Sequence, residues 1–160
     1  MCKKQKPPHY SNEVFNCEGK ESCCFFKGKT ELKNIIMTTN KELNILGTAL
    51  ESCCDNPATG YFRDGFCRTI QEDAGTHILC PVVTQEFLDF TKSLGNDLST
   101  PAPHWNFSGL KAGSKWCLCI SRWLEAESAG KAPFVVLEAT HKKALEHTTL
   151  ELLQKYEAVV

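Results

Sequence analysis

The hydrophobic pattern is most regular in Gly113-Ser114-Lys115-Trp116-Cys117-Leu118-Cys119-Ile120-Ser121-Arg122-Trp123. A glycine-closed turn leads into an unbroken run of aromatic, β-branched and apolar side chains, which is the composition of a strand. With a period of two, Trp116, Leu118 and Ile120 share one face, while Cys117, Cys119 and Ser121 share the other. One face is bulky and the other small and polarisable. Cys117 and Cys119 are not expected to bridge each other, because residues two apart on a strand hold their Cα atoms about 6.5 Å apart with near-parallel side chains.

Before this stretch, residues 1 to about 40 are polar and aperiodic and predict a flexible extension, leaving one domain over residues 41–160. Order is predicted from near Leu43. Tyr61-Phe62-Arg63-Asp64-Gly65-Phe66-Cys67-Arg68 places Asp-Gly between aromatic-rich arms and predicts a β-hairpin. His77 to Val83 reads as a strand that Pro81 confines to an edge or ends early. Thr84 is positioned to cap a helix through Phe87, Leu88 and Leu94, closed by Gly95.

From Asn96 to Lys115 no periodicity survives, and a loop of about twenty residues is usually functional or mobile. Its aromatic residues suggest a cover that packs down. After the opening strand come a short helix around Leu124 to Ala129, closed by Gly130, and an apolar strand from Phe134 to Leu137. Thr140 can cap a helical turn through Leu145. Thr148-Thr149-Leu150-Glu151 has the spacing of a capping box, so a last helix should run to about Tyr156. The order predicts an α+β fold: a small mixed sheet with an N-terminal β-hairpin and three to four helices.

Composition narrows the functional classes. At 160 residues, 42% apolar and 23% charged, the chain can build a core without disulfide staples. A net charge of -1 leaves no basic footprint, so neither nucleic acid nor an anionic membrane is an expected partner. No apolar run is long enough to span a bilayer, and no apolar stretch follows Lys3, Lys4 and Lys6. A cytoplasmic protein is the expectation, with no oligomeric state assigned. Ten cysteines are many for a compartment that keeps thiols reduced, so each reads as packing, metal ligand or reactive thiol rather than as half of a bridge.

The series Asn44-Ile-Leu-Gly-Thr, Thr59-Gly-Tyr-Phe-Arg-Asp-Gly, Glu72-Asp-Ala-Gly-Thr-His77, Gly95-Asn-Asp-Leu-Ser-Thr-Pro101, Trp116-Cys-Leu-Cys119 and Val136-Leu-Glu-Ala-Thr-His141 resembles the bacterial family called domain of unknown function 2237. The resemblance spans roughly residues 44 to 156 and implies no activity, since that family is uncharacterised. It marks Cys53, Cys67, Cys80, Cys117 and Cys119 as family-pattern cysteines. The pattern often carries two cysteines after Asp-Gly, whereas here Phe66 takes the first of those positions.

Three kinds of chemistry compete with plain sulfur-rich core packing. Cys117 and Cys119 with Cys80, Cys67 or His77 form a candidate zinc site, since thiolate and imidazole are ligands that zinc prefers. His77 and Cys80 are three apart and would face one ion only through a bulge or at the strand start. A second candidate metal site, from His9, Cys17, Cys23 and Cys24, lacks the usual two-residue spacers. The second chemistry is thiol redox or nucleophilic catalysis, which needs a cation or helix N-terminus beside the sulfur. Arg63, Arg68, His77 and Arg122 are available, but burial on a strand would keep Cys117 and Cys119 protonated.

The third chemistry uses no sulfur. Arg63, Asp64, Asp73, His77, Asn96, Asp97, Glu138 and His141 fall in turns or at strand ends, where binding groups are mounted on a scaffold. As a set they predict a cleft for a small polar ligand under the 96–115 loop. Singly, Asp64 also suits a turn, Asn96 and Asp97 a helix end, and Glu138 and His141 the start of the next helix. A small-molecule ligand in this cleft is the leading functional expectation, ahead of a metal- or thiol-dependent enzyme centred on Cys117 and Cys119.

Overall fold

Pro81 divides the 77–83 run into two strands with different partners. The computed structural model describes residues 42–159. In it β1 (His77–Leu79) pairs antiparallel with β3 (Leu118–Cys119), and β2 (Pro81–Val82) pairs antiparallel with β4 (Phe134–Val135). The described strands therefore form two separate two-stranded antiparallel sheets, and the fold is α+β. Proline lacks the N–H that would continue one ladder, and Cys80 lies at the change of partner.

The described residues also form three α-helices: α1 (Gln85–Ser93), α2 (Ile120–Ser128) and α3 (Leu150–Lys155). Thr84 caps α1 by accepting the Phe87 N–H at 3.1 Å. Thr149, one residue later than the capping-box spacing implies, caps α3 through the Leu152 N–H at 3.2 Å. The turn after Thr140 is a 3₁₀ helix over Lys142–Glu146, and its cap is His141. None of the described helices is long and apolar enough to cross a membrane.

The bulky face of the central stretch lies where its periodicity places it. Trp116, Leu118 and Ile120 join Ile78, Leu79, Phe87 and Trp123 in the main core. Trp123 is fully buried, and its indole N–H donates to the Pro133 carbonyl at 3.0 Å. The stretch departs from a continuous strand after Cys119, because α2 begins at Ile120, four residues before the expected Leu124. That change of backbone matters for the chemistry below.

The 96–115 loop packs down as a cover. Leu110 is buried in the core, Leu98 and Phe107 pack against it, and Phe107 meets Trp116 with ring centroids 5.3 Å apart. The loop is not structureless: it contains a 3₁₀ turn at Pro103–Trp105, closed by an Ala102–Phe107 bridge. Around Asp64-Gly65 no paired hairpin forms. Residues 60–66 are turns and bends, with positive φ at Arg63 and Gly65 rather than at Asp64 and Gly65. Asp64 instead accepts the Phe66 N–H at 3.2 Å, a local bond that competes with strand pairing.

A second, sulfur-rich core lies beside the first. Cys53 bonds Cys80 and Cys67 bonds Cys117, packed with Val136 and Ala139. The bridges correct the reading of these cysteines as unpaired thiols, and Cys53 enters as a partner that the candidate metal set omitted. The expected extension over 1–40 and the metal knot of His9, Cys17, Cys23 and Cys24 lie outside the described residues.

Candidate active site

Asp73 organises the chain between Thr69 and His77. Its carboxylate accepts from the Thr69 hydroxyl at 3.0 Å, the Gly75 N–H at 3.2 Å and the His77 N–H at 2.8 Å. A fourth bond, at 2.7 Å, comes from Nδ1 of the His77 ring. The Asp73 residue is 3% exposed. Burial alone would raise its carboxyl. The bonds from the His77 ring and amide, the imidazole charge and the Thr69 hydroxyl outweigh that effect and hold it below the usual carboxylate value.

With Nδ1 turned to Asp73, the other ring nitrogen is aimed elsewhere. Nε2 of His77 lies 3.2 Å from Sγ of Cys119. The backbone enforces this approach. His77 opens β1 directly opposite Cys119, and a register shift between His77 and Leu79 releases both from regular strand alternation. Thr76, at φ 48°, makes the bend just before the histidine.

Cys119 is the N-cap residue of α2. Amides of a helix's first turn point toward its N-terminal end, and with the macrodipole they favour negative charge there. Gly75 closes one side of the pair. A Cβ on Gly75 would stand 2.4 Å from Cε1 of His77 and 2.9 Å from Sγ of Cys119. The thiol residue is 5% exposed and the imidazole side chain 35% exposed, so the ring is the more open of the two.

The other candidate residues take separate positions. Arg63 sets its guanidinium 5.1 Å from the Trp116 ring centroid, and Asp64 pairs with Arg68. Asn96 donates to the Thr91 hydroxyl at 2.8 Å. Asp97 accepts from the amides of Ser99 and Thr100 and from both their hydroxyls. The bonds from Thr100, then those from Ser99, hold its carboxyl well below the usual range. His141 accepts the Lys143 N–H at 3.1 Å, and burial with the Lys143 charge lowers its basicity.

Glu138 receives the buried Asn44 side chain on its backbone carbonyl, at 3.1 Å. It also lines an open cleft of approximately 830 Å³ with Glu51, Ser52, Lys115, Val136 and Glu157. This cleft is distinct from the expected one under the 96–115 loop. The structure thus joins two of the eight ligand candidates, Asp73 and His77, to a cysteine from the metal set. Cys67, Cys80 and Cys117 are held in disulfides and supply no thiolate in this form.

Sequence reasoning named all three members of the Asp73–His77–Cys119 array and set His77 beside Cys119 in the metal and thiol readings, but placed Asp73 only in the ligand cleft. The usable signal was the close spacing of Asp73, Gly75 and His77 beside a Cys-Leu-Cys stretch. What concealed it was the strand reading of Ile120 to Trp123, which hid the helix N-terminus that Cys119 caps.

Comparison with curated proteins finds no match. The family profile that matches covers residues 43–157 and has only the description of an uncharacterised protein conserved in bacteria. With most of its length and the whole Asp73–His77–Cys119 array inside that match, the chain belongs to the DUF2237 family.

Proposed function

We propose that the protein is a thiol-dependent enzyme in which Cys119 is the nucleophile, His77 its base and Asp73 the group that orients the base. The observation that carries this reading is the continuous contact from buried Asp73 through Nδ1 at 2.7 Å and Nε2 at 3.2 Å to Sγ. A nucleophile, a base within reach and a third group fixing that base make the arrangement that activates Ser and Cys in acyl transfer.

The step follows from the geometry. His77 takes the Sγ proton on Nε2 as the sulfur attacks an electrophilic carbonyl carbon and forms the C–S bond. Negative charge on the carbonyl oxygen is favoured at the N-terminal end of α2. When the bond to the leaving group breaks, the imidazolium returns its proton to that group. Water activated by His77 then hydrolyses the thioester. Asp73, held ionised, stabilises the imidazolium between these steps.

A small polar ligand bound under the 96–115 loop has less support. Leu98, Phe107 and Leu110 fill the space beneath the loop, and the polar groups of Asn96 and Asp97 are engaged by Thr91, Ser99 and Thr100. In this proposal the small-molecule partner becomes an electrophilic substrate, with the cytoplasm as the place of work.

The test is acylation by an activated ester such as p-nitrophenyl acetate, with each cysteine mapped by mass spectrometry. Cys54 is more exposed than Cys119. Exposure alone therefore predicts that Cys54 reacts first, whereas the proposal predicts Cys119, with the rate lost in H77A. Faster labelling of Cys54, or a Cys119 rate unchanged by H77A, would overturn it.

A further inference from the structure

The second core holds two disulfides against each other. Sγ atoms of Cys53, Cys67 and Cys117 all lie within 4.8 Å of one another, and the Cys80 sulfur is bonded to Cys53 at 2.03 Å. Four separate chain segments thus meet here, three of them with sulfurs within 4.8 Å of one another and the fourth, Cys80, bonded to one of those three. All four residues are at most 4% exposed.

We propose that these four cysteines are a zinc site whose thiols the disulfides store in oxidised form. Tetrahedral zinc with Zn–S bonds of about 2.3 Å separates its sulfurs by roughly 3.8 Å. On reduction each bonded pair must open to that spacing while the non-bonded sulfurs close in, movements of the kind that side-chain rotation supplies. The set differs from the one the sequence suggests: Cys53 replaces Cys119, which is held by His77 instead. All-sulfur donors select zinc over the hard cations, which take oxygen ligands.

A route for the ion is present. The open cleft lined by Glu51, Ser52, Glu138 and Glu157 also exposes Val136 and Ala158, which pack on the sulfur cluster. Three carboxylates against Lys115 favour a cation there. The chemistry balances with a low-molecular-weight thiol as reductant. Each bridge takes two electrons and two protons from two reductant thiols, which leave joined as one disulfide. Zinc then displaces four protons as the four cysteine thiols become thiolates. In a reducing cytoplasm the cluster would be metal-bound, and under oxidation it would close into the two bridges.

The experiment uses the full chain carrying C2S, C17S, C23S and C24S, reduced anaerobically without chelator and titrated with cobalt(II). The expected result is one equivalent per chain with the visible absorption of tetrahedral cobalt–thiolate, displaced by zinc. It should be unchanged by C119S, lost in C53S, and absent while the disulfides are intact. The C119S arm separates this proposal from the catalytic one. No uptake by the reduced chain, uptake by the oxidised chain, or loss of uptake in C119S would overturn the zinc site. Should C53S fail to fold, the reduced and oxidised forms of the unsubstituted core decide the matter.

Discussion

Nε2 of His77 stands 3.2 Å from Sγ of Cys119, and the same two residues face each other across the β1–β3 ladder. The backbone pairing fixes the distance and the Asp73 carboxylate fixes the ring's orientation, so the two controls can be tested apart. Replacing Asp73 by Asn removes the charge and puts a donor in place of one carboxylate oxygen, either the Oδ1 that faces the His77 ring or the Oδ2 that faces Thr69. D73N is expected to slow acylation of Cys119 by about 100-fold, the usual scale of a general-base contribution. The pH–rate profile should change shape as well. An unchanged profile would make Asp73 a purely structural anchor for the 69–77 turn.

Gly75 gives a steric test of the same contact. The added methyl of G75A would fall at 2.4 Å from Cε1 of His77 and 2.9 Å from the thiol, with both ring and sulfur on its path. One of them must move, and the imidazole, being 35% exposed, has the room. The variant is expected to fold with a slightly lower Tm and to lose at least about tenfold in the Cys119 acylation rate, since small misplacements of a base are costly. Stopped-flow labelling and a melting curve check both parts.

How far the fold could be read in advance follows from where its signals are local. Thr84 carries a side chain that caps, and the facing of Trp116, Leu118 and Ile120 is carried by strand periodicity, so these were legible, while the cap of α3 was legible to within one residue, Thr149 serving in place of Thr148. The start of α2 was not. Cys119 makes no side-chain capping bond, and Ile120-Ser121-Arg122-Trp123 carries no helix-start residue in its place. Pairing of Cys53 with Cys80 and of Cys67 with Cys117 spans 27 and 50 residues, and nothing local records partners at such distance. Asn44 illustrates the same limit: fully buried, it ties the 44–49 turn to the Glu138 carbonyl, a long-range role invisible in its own surroundings.

His141 predicts a pH dependence of stability. Burial, joined by the Lys143 charge and opposed by Glu146, places its folded value below its ordinary 6.5. The unfolded chain then binds the proton more readily than the folded one, so this contribution is full above pH 6.5 and declines as pH falls through 6.5 toward the folded value. H141N keeps a side-chain oxygen to accept the Lys143 N–H while removing the titration. The Tm of the unsubstituted chain should fall between about pH 8 and about pH 5.5, and the fall should be smaller in H141N.

The two bridges should differ in what their removal costs, because they close loops of different length. In the chain-entropy account, a link across 50 residues restricts the unfolded state more than one across 27. The account assigns about 4 kcal/mol to Cys67–Cys117 and about 3.5 kcal/mol to Cys53–Cys80. Both pairs are buried in one cluster, so replacing either pair by alanine leaves a similar small apolar void. Denaturant unfolding of metal-free, oxidised C67A/C117A and C53A/C80A should therefore rank the first as the less stable. Losing the bridge at Cys117 also frees the segment two residues before Cys119. The same C67A/C117A protein should acylate more slowly at Cys119, while C53A/C80A keeps its rate, and equal rates in the two would detach the nucleophile's placement from the Cys67–Cys117 bridge.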